Sequence, residues 1–259
     1  MILTTSWDDG HPLDLKLLGL LEKYNLKATF YIPLSNSENP VMGKSLIQEL
    51  STYQEIGGHT ISHTYLNHLS DPVAKYEITQ CKVLLEEIIG KPLYAFCFPG
   101  GKFSNRDVLF MKNAGYLFGR TTNLLSASNP KFNLMNTSIQ TQNHSSTTLL
   151  RHCIKRFNIG PILHNSFFLP FNKSFLKLAE YNLLKCRESN SVFHIWGHSW
   201  EIERFNLWNQ LEDLFKLISS LDRITYLNNT ETWKSICEKS KTRILSFNKN
   251  DKETVGITL

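Results

Sequence analysis

The chain has no apolar run approaching the roughly 20 residues that a membrane-spanning helix needs. It also has no internal repeat and no low-complexity tract. No basic, apolar leader opens it, and an aspartate pair arrives by position 8, so a cytoplasmic location is expected. Cysteine is sparse. Cys81, Cys97, Cys153, Cys186 and Cys237 are odd in number, widely separated and without a CxxC pair, which argues against a disulfide framework and a zinc knuckle. Neither sign of charge dominates: 28 Lys and Arg against 23 Asp and Glu leave a net +5. That mild excess, with no nucleic-acid module beside it, gives no reason to expect a nucleic-acid partner.

What is present is an ordinary globular composition, 41% hydrophobic and 20% charged, in 259 residues, enough for one large core. Strand-like and helix-like stretches alternate. Ile2 to Thr5, Ala28 to Ile32, Tyr94 to Phe98, Leu117 to Thr121, Phe132 to Ile139, Val192 to Trp196 and Ile224 to Leu227 read as strands. Pro12 suits the first turn of a helix carrying Leu13, Leu17, Leu20, Leu21 and Tyr24, with Asn25 as its stop. Met42, Leu46, Ile47 and Leu50 mark a second helix, and Asp71-Pro72 caps a third that closes at Gly90. Arg106 to Ala114 and Trp208 to Ser220 follow. This alternation predicts an α/β fold whose parallel sheet is closed or nearly closed into a barrel. The organisation expected is one domain over residues 1–238 and a polar tail over 239–259.

Two constellations carry chemistry. Asp8 and Asp9 sit between the first strand and the first helix, where a parallel α/β fold places its reactive groups. Taken alone, Asp8-Asp9-Gly10 is also an ordinary solvated turn. His59 and His63, four residues apart after Gly57-Gly58, can turn both imidazoles toward one ion. Two imidazoles and a carboxylate leave coordination positions open for water and substrate. The spacing by itself is a weak signal, and exposed or core histidines would satisfy it equally.

Trp7-Asp8-Asp9-Gly10, then His59-x-x-x-His63, then a Phe-x-x-Pro turn resembles the polysaccharide deacetylase family, carbohydrate esterases with a NodB-like domain. Thr29 to Pro33 is similar to that family's second strand, and the resemblance runs over residues 1–235. It implies a distorted (β/α) barrel of about seven parallel strands with outer helices. It implies that Asp8 is the general base, that Asp9, His59 and His63 hold a divalent ion, and that His198 is the general acid. Zn2+ is the first expectation; Co2+, Ni2+, Mn2+ and Fe2+ also suit such a site.

The block Phe96 to Phe103 departs from the pattern. Many relatives place an arginine there to hold the base, and this chain has none. Arg120, at the end of a predicted strand, is the replacement candidate, against a plain surface arginine. Phe98 and Pro99 are expected to wall the groove together with Arg120, Trp196 and Trp200, although the two tryptophans fit a core equally well. His194 reads as a supporting residue within a strand, Glu201 as a group that sets a histidine tautomer, and Cys97 as packing.

The stretch Phe157 to Phe175 contains five phenylalanines, which suit a segment folded over the groove or, more simply, a buried part of the barrel wall. His144, His152 and His164 carry no assignment. The function implied is metal-dependent removal of an acyl group, N-acetyl first, from an amino sugar or saccharide, free or carrier-linked. The rivals are O-deacetylation or cyclic-amide hydrolysis on the same scaffold, a two-carboxylate glycosidase, and an inactive sugar-binding module.

Overall fold

The structure, a computed structural model, describes residues 1–124, 133–143 and 175–240. Its first strand, β1 (Ile2–Asp8), is buried along its whole length and alternates in chemistry. Leu3 and Trp7 enter the main apolar core. Thr4, Ser6 and Asp8 point the other way and find polar partners in Asn229, His194 and Arg120. Along β1 the period of two thus turns Leu3 and Trp7 to the helix side of the sheet and Thr4, Ser6 and Asp8 to its concave interior.

Strands β2 (Ala28–Ile32), β3 (Glu55–Gly58), β4 (Ala95–Cys97), β5 (Phe118–Arg120), β6 (Leu134–Met135), β7 (Ile139–Gln140), β8 (Val192–Gly197) and β9 (Thr225–Tyr226) complete one sheet. The order is β6-β5-β4-β3-β2-β1-β8-β7, with β9 beside the start of β1, and every pairing is parallel. β6 and β7 stand at opposite ends of that order, yet only residues 136–138 separate them. Asn136 ties the ends together. Its side-chain oxygen accepts the Thr121 hydroxyl at 2.7 Å, and its backbone carbonyl accepts His194 Nδ1–H at 3.1 Å. The sheet thus curls until its ends meet. Among the described residues these nine strands exceed the seven read from the sequence because Phe132 to Ile139 divides into β6 and β7, and because β3, short and ending in two glycines, gave no strand signal.

Among the described residues, the outer helices are α1 (Asp14–Lys23), α2 (Lys44–Tyr53), α3 (Asp71–Ile89), α4 (Asn105–Asn113), α5 (Phe175–Glu188), α6 (Ser199–Arg204) and α7 (Trp208–Ser219). Asn25 takes a left-handed φ of 57° just past α1, and Gly90 one of 66° at the end of α3, as helix stops do. Ser70, one residue earlier than expected, is the N-cap of α3, and Asp71-Pro72 fill its first turn. α4 opens on a capping box between Ser104 and Asp107.

A further helix, α8, covers residues 229–240. Asn228 and Glu231 exchange backbone-to-side-chain bonds at its start, and Trp233 stacks on Phe118 among the side chains inside the barrel. The expected polar tail therefore begins within this helix; residues 241–259 lie outside the described residues. So do residues 157–174 of the phenylalanine-rich stretch, Cys153, and His144, His152 and His164. Phe175, its last member, is buried at the start of α5. Among the described residues, no helix is long and apolar enough to cross a membrane. Cys81, Cys97 and Cys186 are free thiols.

Candidate active site

Parallel strands deliver every strand's following turn to one end of the barrel, and that end collects the reactive groups. Asp8 is the last residue of β1 and Asp9 the first of its turn. His59 follows β3 directly. It can do so because Gly57 and Gly58 carry no Cβ: one added at Gly57 would lie 2.5 Å from the Tyr31 ring, and one at Gly58 2.3 Å from the Tyr116 hydroxyl. Asp9, Thr60 and His63 hold positive φ values of 78°, 63° and 56°. Left-handed backbone at three residues with a Cβ, so close together, marks turns shaped for their side chains rather than for their own ease.

The structure brings Asp9, His59 and His63 together. Asp9 Oδ1 lies 3.1 Å from His63 Nε2 and 3.6 Å from His59 Nε2. His59 gives its Nδ1–H to the Cys97 carbonyl at 2.9 Å, so a neutral His59 turns the lone pair of Nε2 toward Asp9. Two lone pairs at that distance repel unless a proton or a cation stands between them. Asp9 Oδ1 is buried and makes no hydrogen bond among the described residues. Burial by itself would push this carboxyl up, but the His59 and His63 contacts and the charge of His198 outweigh it and hold it well below the usual carboxylate range. The three ligand atoms lie within 4.8 Å of one another, a donor set that suits a divalent cation.

Asp8, His59 and Cys97 form a second cluster of that size. It suits a cation less well. Asp8 Oδ1 is taken by Arg120 Nη2, and burial pushes the Cys97 thiol well up, so the sulfur keeps its proton.

Arg120 is fully buried, 112 residues from Asp8 in sequence, and forms an ion pair with it. Its guanidinium lies 5.2 Å from the Tyr31 ring centroid and 4.7 Å from that of Trp196. The expected groove-lining role does not survive this geometry: Arg120 holds Asp8 from inside the barrel. Asp8 Oδ2 remains for the cleft, 4.0 Å from His198 Nε2 and 3.7 Å from the Cys97 thiol.

His198 is the N-cap residue of α6, directly after β8. Its Nε2 is 4.0 Å from Asp9 Oδ2 as well, and its Nδ1 lies 2.6 Å from Glu201 Oε2. Gln140 donates to the same glutamate oxygen at 3.2 Å. Burial alone would lower the imidazole; the Glu201 bond and the charges of Asp9, Glu201 and Asp8 raise it to about 9. His194 stays inside the barrel, accepting from the Ser6 hydroxyl at 2.8 Å.

The remaining expected groove residues divide. Phe98 is buried in the outer core, stacked on Phe103 with ring centroids 4.2 Å apart, and does not line the cleft. Pro99 is buried at the start of a 3₁₀ turn, and Trp196 lies beneath the site between Arg120 and His198. Trp200 does reach it, but as a hydrogen-bond donor to Asp9 Oδ2 at 2.9 Å. That bond left no trace in the sequence pattern.

Comparison with known proteins bears on this arrangement. Residues 2–119 match the polysaccharide deacetylase family. The resemblance read from the motifs is thereby borne out, over a shorter span than residues 1–235; His198 lies outside the matched part. The chain is 26% identical over 121 residues to YxkH of Bacillus subtilis (strain 168), named as a candidate polysaccharide deacetylase. That match covers 46% of this chain and 41% of YxkH, less than half of either protein.

Among solved structures, a candidate polysaccharide deacetylase from Mycobacterium smegmatis superposes with a TM-score of 0.66 at 12% identity, over 92% of this chain and 91% of that one. A family 4 acetyl xylan esterase from Clostridium thermocellum, in complex with a cobalt ion, gives 0.55 at 16% identity over 90% and 91%. These likenesses bear out the expected fold, a distorted α/β barrel.

Proposed function

We propose that this protein is a divalent-metal-dependent hydrolase that removes acetyl groups from a saccharide. The carrying observation is Asp9 Oδ1: buried, without a hydrogen bond among the described residues, and faced by two imidazoles. Asp9, His59 and His63 would hold the ion, with Zn2+ the first candidate. A divalent ion bound there supplies Lewis acidity and makes water acidic enough to react near neutral pH.

The chain's own groups have separable duties in this reading. Asp8, fixed through Oδ1 by Arg120, keeps Oδ2 toward the cleft to take a proton from the attacking water. His198, held through Nδ1 by Glu201, presents Nε2 to the same space and hands a proton to the leaving group. An amine departs from a tetrahedral adduct only with a proton, so a placed donor favours N-acetyl over O-acetyl groups. The acetyl xylan esterase of similar fold keeps O-deacetylation as the second reading.

The test is acetate release from a panel of N- and O-acetylated saccharides, nucleotide sugars and lipid-linked sugars. Activity should vanish with a chelator and return with added Zn2+ or Co2+. Release that persists through chelation overturns the metal-dependent reading, and binding without release points to a sugar-binding module.

A further inference from the structure

Asp9 presents its two carboxylate oxygens to different neighbours. Oδ1 faces His63 and His59 Nε2 at 3.1 and 3.6 Å, whereas Oδ2 accepts the indole N–H of Trp200 at 2.9 Å. Trp200 stands in the first turn of α6, 191 residues away in sequence. Its ring also lies against His198, with centroids 5.3 Å apart. An indole N–H donates and has no acceptor capacity. It can satisfy a carboxylate oxygen, and it cannot itself hold a cation.

We propose that Trp200 is a positioning residue for the metal centre, occupying Asp9 Oδ2 so that a divalent ion meets Asp9 through Oδ1 alone. This rests on the metal-dependent reading above and adds to it the denticity of the carboxylate ligand. A carboxylate free at both oxygens can bind a cation through one or two of them. A directed donor on Oδ2 weakens that oxygen as a ligand, which disfavours the second mode, and it fixes the plane of the group.

Two features of the surroundings agree with such a role. Asp9 sits at φ 78°, a conformation that its own backbone does not favour, so a tie from another element is needed to keep its side chain aimed. The tie comes from α6, which also carries Glu201 on His198 Nδ1. One six-residue helix thereby orients both the ligand carboxylate and the proton donor.

Partners of this kind typically contribute about 10- to 100-fold in metal affinity. Trp200→Phe keeps an aromatic ring and removes the N–H. Titration of the 259-residue chain carrying this substitution against a competing chelator should show Zn2+ and Co2+ bound about 10- to 100-fold more weakly. The visible absorption of the cobalt-loaded variant should also weaken, because a second Asp9 oxygen raises the coordination number. Trp200→Gln, which returns an N–H donor without the indole, should recover part of the affinity.

Zinc affinity within about twofold of the parent, with an unchanged cobalt spectrum, overturns the assignment and leaves the metal reading standing. No recovery in Trp200→Gln, together with a lowered melting temperature of both metal-free variants, assigns the effect to packing and overturns it as well. Parent-like affinity in Asp9→Asn removes Asp9 from the ligands and overturns both readings.

Discussion

Asp8 and Arg120 form an ion pair inside the barrel, each side chain almost wholly withdrawn from water. Charges so placed are costly to desolvate, and removing one partner leaves the other uncompensated. Arg120→Leu is therefore expected to lower stability by about 3–5 kcal/mol in urea denaturation and to abolish acetate release. The double variant Asp8→Leu/Arg120→Leu should recover much of the stability and none of the activity. Neighbouring aspartates should separate by phenotype. Asp8→Asn is expected to keep its metal and lose turnover, while His63→Ala loses metal, both read by metal analysis of the purified variants. Metal loss in Asp8→Asn would mean that the two aspartates' duties are exchanged.

At the scale of elements, the least obvious contribution is that of α8. Its first turn meets the start of the strands: Thr230 N–H donates to Glu55 Oε2 at 3.2 Å, and Asn229 N–H donates to Thr29 Oγ1 at 2.9 Å. Trp233 then stacks on Phe118 within the barrel, opposite the end where the reactive groups gather. The expected single domain ended near residue 238, inside this helix. Trp233→Ala should cost about 3–5 kcal/mol in chemical denaturation, the range for losing a buried tryptophan. A cost below about 1 kcal/mol, the surface range, would show that α8 does not help to close the barrel. α6 matters differently: six residues are too few to reveal a helical period, yet they deliver Trp200 and Glu201 to the site.

For the whole molecule, closure of the sheet at Asn136 has a pH consequence through His194, which bonds to that residue from β8. Burial, and then the charge of Arg120, lower this imidazole to about 3, overriding the Asn136 carbonyl and Asp8. Below about pH 6.5 the unfolded chain takes a proton that the folded chain refuses. Protons bound to the unfolded state then exceed those on the folded state, so stability falls as pH falls from about 6.5 toward 3. The slope from this one group approaches about 1.4 kcal/mol per pH unit. His194→Gln should be less stable than the parent at pH 7.5 but lose less between pH 6.5 and 4.5, by urea midpoints. Equal losses in parent and variant would remove His194 as the origin of the acid sensitivity.

By itself the sequence determined whatever local chemistry can write. Alternating apolar and polar residues made Ile2–Asp8 a strand with one polar face, leucine spacing made α1, and Gly57-Gly58 allowed His59 to follow β3. The order of Asp8, Asp9, His59, His63 and His198 was legible through the resemblance to the deacetylase motifs, and parallel strands that send their following turns to one end allow those residues to meet. Of the pairings across that end, Arg120 on Asp8 was legible only as one of two readings of that arginine, and Trp200 on Asp9 had no signal at all. Arg120 on Asp8, Trp200 on Asp9, and Phe98 turned outward onto Phe103 depend on which face of a strand or short helix each residue occupies after the sheet has curled. Contacts spanning 112 and 191 residues have no local period to announce them. Trp200 meets Asp9 because β8 pairs with β1, and Arg120 meets Asp8 because the sheet curls β5 back toward β1, and neither pairing is written locally.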